Sequence, residues 1–197
     1  MAAGVLFHSI APDGKTRVFL LGREKHSTGY RDSLKSADFG GKIEESDVDI
    51  DVTASRECYE EMMGVVATYP TILSRLRSRE ITAAYDIRLG NTQGYYRMYL
   101  LRIPYDDYGA QFARMTAYFD YTGITVNSAE KASIEWYEVD TLMQHARDCL
   151  EHNGPEMRRQ FSRDCLERPD HGGAELRKNF AHSLAMIARH VDLSTLE

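Results

Sequence analysis

Three glutamates, Glu57, Glu60 and Glu61, lie at spacings i, i+3 and i+4 in the run Arg56-Glu57-Cys58-Tyr59-Glu60-Glu61-Met62-Met63-Gly64-Val65. On an α-helix that spacing puts all three carboxylates on one face. Cys58, Met62 and Val65 fall on another face and are available to pack inward. Each like-charged pair costs about 0.2–0.5 kcal/mol when exposed, so the cluster asks for a neutralising partner. A hard divalent cation is one such partner. Mg²⁺ takes oxygen ligands, keeps several waters, and is commonly held by a few carboxylates together with substrate phosphates. The cluster therefore reads as a metal platform for phosphate chemistry, with Arg56 able to grip one carboxylate through two hydrogen bonds and fix its rotamer. The rival reading is a solvated acidic face in an interaction domain with no chemistry. The context favours the platform: an apolar strand pair and a Gly40-Gly41 turn precede the helix, and the acids face away from an apolar stripe.

The elements that must position these acids can be read from the pattern. Residues 5–10 and 17–21 are apolar runs separated by the turn signal Pro12-Asp13-Gly14, which predicts a hairpin. Residues 23–38 are polar and irregular. The acidic helix is expected over 54–63, with Thr53 as its cap and Gly64 as its stop. A polar helix or loop over 74–80, strands over 83–89, 95–103 and 134–139, and a short helix over 111–117 follow. Beyond Asp140 the spacing turns helical: Leu142, Ala146 and Leu150; then Met157, Phe161 and Cys165; then Leu176, Phe180, Leu184, Ile187 and Val191. Strands first and helices later predict an α+β fold. The expected division is a domain over 1–142 with a helical extension, 143–197, packed on it.

Composition narrows the function classes. With 43% hydrophobic and 27% charged residues among 197, the chain can build a core and is not disordered. Its net charge of −6 argues against a general polyanion binder. Cys58, Cys149 and Cys165 form no CxxC pair, which fits a reducing compartment better than a disulfide scaffold. The first residues lack a basic start before a long apolar core, and no apolar run reaches about 18 residues, so neither a secretory signal nor a membrane span is expected. A cytoplasmic domain is the expectation.

The segment from Gly41 to Val65 resembles the Nudix box, G-x5-E-x7-R-E-U-x-E-E-x-G-U with U aliphatic. Gly41, Arg56, Glu57, Cys58, Glu60, Glu61, Gly64 and Val65 take its places. More loosely, Trp136-Tyr137-Glu138-Val139-Asp140-Thr141-Leu142 is similar to the family's W-x-x-x-D-x-L close. Three departures stand out. Asp47 replaces the first glutamate of the box, with Glu44 or Glu45 as candidates to take over its part. Eight residues rather than seven separate Asp47 from Arg56, and Met63 is an extra residue before Gly64. None of these shifts Glu57, Glu60 and Glu61 relative to one another.

The resemblance implies a Nudix-type α/β/α sandwich with a mixed sheet. It also implies a Mg²⁺- or Mn²⁺-dependent hydrolase that cleaves the pyrophosphate linkage of a nucleoside diphosphate derivative. Glu57, Glu60 and Glu61 would hold the metal, with the carbonyl of Gly41. Glu130, in the loop before the last strand, is the favoured general base over Glu135. Lys42, Arg23 and Arg97 are candidate substrate-phosphate contacts, each also readable as an ordinary surface charge. Tyr95, Tyr96 and Tyr99 could stack a base, although strand aromatics usually build cores. Trp136 reads as packing. The basic run Arg158, Arg159, Arg163 and Arg168 is the one feature favouring RNA. The alternatives are an mRNA cap hydrolase and a Nudix-like domain that senses a nucleotide without cleaving it. A small-molecule nucleotide is the expected partner, and the apolar C-terminal helix leaves a homodimer open.

Overall fold

The computed structural model describes residues 1–29, 33–88, 94–123, 130–144 and 176–190. The chain runs β1 (Ala2–Ile10), β2 (Arg17–Glu24), β3 (Ser36–Ala37), β4 (Phe39–Lys42), α1 (Ile50–Met62), α2 (Tyr69–Arg77), β5 (Ala83–Arg88), β6 (Tyr95–Arg102), α3 (Tyr108–Thr122), β7 (Lys131–Glu138) and a last helix, α4 (Lys178–His190). The fold is α+β. Seven strands form one mixed sheet whose path is β3-β2-β1-β6-β5, with β4 paired to β1 and β7 paired to β2. The β1–β6 pair is parallel and every other pair is antiparallel. β1 is buried through seven consecutive residues, as a strand covered on both faces must be.

Two apolar layers sandwich the sheet. On one face Val5, Phe7, Leu20, Phe39 and Tyr99 meet α1 (Ala54, Cys58, Met62), α2 (Ile72, Leu76) and α3 (Tyr108, Phe112). On the other, Leu6, Phe19, Leu21, Met98 and Leu100 meet Leu176 and the α4 side chains Phe180, Leu184 and Ile187. Those α4 residues are buried within the chain itself. At about 25 cal/mol per Å² of apolar surface, each large side chain so covered contributes about 1.5–3 kcal/mol.

Several boundaries differ from the sequence expectation. The Gly40-Gly41 pair is not a turn. It lies in β4, with Gly40 opposite Gly4 and Gly41 opposite Ala3. Asp49, not Thr53, caps α1 by accepting the Val52 N–H at 2.8 Å. Thr53 lies inside the helix and donates its hydroxyl to Asp47 at 3.0 Å. The extra residue Met63 takes the left-handed exit from α1 at φ 52°, and Gly64 follows at φ 71°. α2 begins at Tyr69, where Pro70 suits a first turn. α3 spans 15 residues rather than the expected 111–117, capped by Asp107 and stopped by Gly123 in the left-handed region. The expected helical runs through Ala146 and Leu150 and through Met157, Phe161 and Cys165 lie outside the described residues. So do Cys149, Arg158, Arg159, Arg163 and Arg168. Among the described residues no helix is long and apolar enough to cross a membrane.

Candidate active site

α1 docks its apolar side on the sheet so that its acidic arc straddles the edge of the contact. At 100° per residue, Glu61, Glu57 and Glu60 follow one another around the helix, and their side-chain exposure rises in that order: 5%, 18% and 37%. The three acids share a side of the helix but not an environment. Glu57 lies directly over β4. A Cβ added to Gly41 would stand 2.3 Å from the Glu57 carboxyl carbon, so only glycine admits this approach. Burial raises the Glu57 carboxyl above its ordinary range against the pull of Arg56, and the charges of Glu60 and Glu130 add to the rise.

Arg56 is the hub of the outer acids. Its Nε and Nη2 donate to the two oxygens of Asp47 at 3.1 and 2.9 Å. Its Nη1 donates to Glu57 at 3.0 Å and to Glu60 at 3.3 Å, and Glu44 lies 3.6 Å away. Nη2 also donates to the Lys42 carbonyl at 3.2 Å. Asp47 is the residue that grips the arginine, with the Glu44 N–H as a further donor at 2.9 Å. The hydrogen bonds from Arg56 hold the Asp47 carboxyl down at about 2. A carboxylate in the first-glutamate position, one methylene shorter and one residue further off, still clamps the arginine.

Glu61 turns the other way. Its Oε2 accepts the Gly40 N–H at 2.9 Å, and its Oε1 accepts from the Lys131 ammonium at 2.9 Å. Lys131 is fully buried and also donates to Glu24 at 2.6 Å, and Arg177 donates to Glu24 at 3.0 Å. Nearby, the buried Asp38 accepts the Tyr96 hydroxyl at 2.5 Å. Burial is the largest influence on Glu61 and on Asp38 and raises both carboxyls, Asp38 to about 6. Burial alone would lower Lys131, but Glu61 and Glu24 together outweigh it and hold the ammonium charged.

Neither Lys131 nor Glu24 was legible as part of the site. Alternation from Ile134 and Trp136 would turn Ala132 inward and Lys131 outward. Instead the β2–β7 register slips between Arg23 and Glu24, so that Arg23 faces Ser133 and Glu24 faces Lys131. Ala132 is the bulged residue, exposed, and Lys131 swings inward. Its stem crosses Gly22, where a Cβ would stand 2.9 Å from Lys131 Cδ. The only sequence signal was a lysine beside the loop acid Glu130.

The remaining candidates divide. Glu130 is exposed, its carbonyl accepts the Lys25 N–H at 2.8 Å, and its charge is felt at Glu57. Lys42 is exposed on the strand that carries Gly41. Arg97 faces Ala3 on the edge opposite Gly41, about 10 Å away by two strand spacings. It forms two 2.6 Å hydrogen bonds with Asp86, the surface ion-pair alternative. Arg23 donates to the Leu34 carbonyl at 3.0 Å, beside β3. Tyr96 and Tyr99 are held by Asp38 and Asp51, which leaves Tyr95 alone exposed among the three. Trp136 packs as expected, stacked on Tyr105 at 5.3 Å. Glu135 faces solvent and accepts from Ser133 and Tyr137.

Among the described residues no three acidic, histidine or cysteine side chains converge into a ready-made metal cage. The donor set still fits a hard cation that keeps its waters. It offers oxygen ligands only, two partly exposed carboxylates, Glu57 and Glu60, flanked by Glu44 and Asp47, with one guanidinium among the four.

Among solved structures the chain is similar to a C. elegans Ap4A hydrolase in a binary complex, at 15% identity and TM-score 0.42, over 71% of this chain and 81% of that one. It is similar to the NUDIX domain of Shewanella oneidensis NrtR complexed with ADP ribose, at 12% identity and TM-score 0.40, over 73% and 75%. It is also similar to a mutT/nudix family protein from Listeria innocua, at 16% identity and TM-score 0.39, over 72% and 78%. Two of the three carry the Nudix name. No family model matches the chain, and no curated protein does.

Proposed function

We propose that this chain is a divalent-metal-dependent hydrolase of the Nudix type that cleaves the pyrophosphate linkage of a nucleoside diphosphate derivative. The observation that carries the reading is the seating of Glu57 over Gly41, beside Glu60 and within the field of Glu130. Glu57 and Glu60 would hold the cation beside β4, with the Gly41 carbonyl a candidate third oxygen and Glu61 behind them. When bound, Mg²⁺ or Mn²⁺ supplies neutralisation of the phosphate charge and a more acidic water. The protein's own part is orientation. Arg56, clamped by Asp47, keeps the Glu57 and Glu60 carboxylates side by side, and Glu61 braces α1 against β4 through the Gly40 N–H. Glu130, exposed and with its charge acting on Glu57, would accept a proton from the attacking water. Lys42, exposed on β4, would be the cation that meets a phosphate, since Arg97 and Arg23 are engaged elsewhere.

The test is product release from a panel of ADP-ribose, dinucleoside polyphosphates, nucleotide sugars, NADH, nucleoside triphosphates and capped RNA, with Mg²⁺ or Mn²⁺. At least one compound should turn over only with divalent metal, and Glu57→Gln or Glu60→Gln should lower kcat by about 10²-fold or more. Glu130→Gln should remove a limb of the pH–rate profile. Turnover of capped RNA alone would favour the cap-hydrolase alternative. Binding without turnover throughout would favour a nucleotide sensor, and equal rates in Glu57→Gln would end the hydrolase reading.

A further inference from the structure

Among the three glutamates of the acidic arc, Glu61 alone has both carboxylate oxygens taken by the protein. One is on a backbone N–H of β4 and the other is on a lysine ammonium that no solvent reaches. That ammonium is itself fixed by Glu24, which Arg177 holds from the far side. Moving Glu61 toward a cation beside Glu57 would leave Lys131 with one carboxylate in place of two, in a low-dielectric setting where an underpaired charge is costly. A cation approaching Glu61 would also meet the like charge of Lys131 across a single carboxylate. We propose that Lys131 is a positioning residue that withholds Glu61 from the divalent cation, so that the cation is held by Glu57 and Glu60 and more weakly than three glutamates would hold it. This rests on the metal-dependent reading above and refines it: the internal lysine sets the affinity of the site.

The experiment is Mn²⁺ binding to the substrate-free protein, followed by the spectroscopic signal of free Mn²⁺ and by calorimetry. Lys131→Met alone leaves the buried Glu61 without its ammonium partner and Glu24 on Arg177 alone, so the informative variant is Lys131→Met with Glu24→Gln, which removes one charge of each sign. It should bind Mn²⁺ about tenfold tighter or better, since a tenfold change is a modest share of a released charge–charge contact. Adding Glu61→Gln should cancel that gain, whereas Glu61→Gln in the natural chain should shift affinity by about twofold or less. Lys131→Arg, which keeps the charge, should stay near the natural affinity. Unchanged or weaker binding in the folded double variant overturns the proposal.

If the double variant does not fold, Glu61→Gln decides alone: a tenfold or greater loss overturns the proposal, and a near-natural affinity supports it. If the natural protein binds no Mn²⁺ and the double variant does, the proposal is supported; if neither binds, it is overturned. The metal reading itself is judged separately by Glu57→Gln. Natural Mn²⁺ affinity in that variant defeats the metal reading whatever Lys131 does.

Discussion

The two sides of the acidic helix solve one electrostatic problem in opposite ways. On the outer side Arg56 gathers Glu44, Asp47, Glu57 and Glu60 where water still reaches most of them. On the inner side Lys131 joins Glu24 and Glu61 under the sheet, with no exposure of its own. The cation-to-acid contacts are similarly short. What differs is the surroundings, and these decide what each cluster can do. Screened charges can be exchanged for a metal or a phosphate at small cost, while desolvated charges hold their partners firmly. The outer cluster is therefore suited to chemistry and the inner one to setting geometry.

Breaking the inner cluster should give the largest effect. Lys131→Met is expected to destabilise the fold by about 3–5 kcal/mol in urea unfolding, because the buried Glu61 loses its counter-ion and Glu24 is left with Arg177 alone. Arg56→Met, which removes more ion pairs but only one, to Asp47, whose acid is as buried as the inner pair, is expected to cost about 1–2 kcal/mol, and a loss equal to that of Lys131→Met would erase the contrast.

The pH dependence sharpens the comparison at two acids, Asp38 and Asp47, whose shifts run in opposite directions. Asp38, beside the inner cluster, has a folded value of about 6 against an ordinary 3.8, so the native state binds the proton more tightly than the unfolded chain. Its contribution to stability falls as pH rises from 3.8 to 6. Asp38→Asn should accordingly gain up to about 3 kcal/mol over the natural chain at pH 8 and nothing at pH 3.5, measured by denaturant midpoints across pH. Asp47, on the outer side, is held at about 2, so its stabilising contribution is present above 3.8 and is lost as pH falls toward 2. Asp47→Asn should flatten that acid limb and leave the region above pH 4 with a constant offset.

The smallest effect is expected at Arg97, whose exposed pair with Asp86 lies away from both clusters. Arg97→Ala should cost less than about 1 kcal/mol and leave Mn²⁺ affinity unchanged; a tenfold loss of that affinity would bring Arg97 into the site.

The outer cluster was legible in the sequence because it depends on local spacing. The interval between Glu57, Glu60 and Glu61 is a property of one helix turn, and so is the inward face of Cys58 and Met62. Most strands were legible for the same reason, since their apolar runs are local. The inner cluster was not legible, because it joins β2, β7 and α1 across 107 positions of chain between Glu24 and Lys131. The role of Asp47 was also hidden. Its partner Arg56 was visible, but only the folded loop shows which acid among Glu44, Glu45 and Asp47 reaches the guanidinium. The α1 cap was misplaced because Asp49 and Thr53 are both good caps by type, and the start of the helix decides between them.

The bulge at Ala132 has a consequence for how the chain tolerates change. A strand in which Ala132 kept regular alternation would turn Lys131 outward, and then Glu61 would lose its ammonium partner while Glu24 kept Arg177 alone. One residue out of phase is thus what keeps the interior electrically balanced. Deleting Ala132 would bring Lys131 two residues before Ile134, in regular alternation and still opposite Glu24, so the chain should bear the loss of the bulged residue better than a change that draws Ala132 into the ladder and turns Lys131 out.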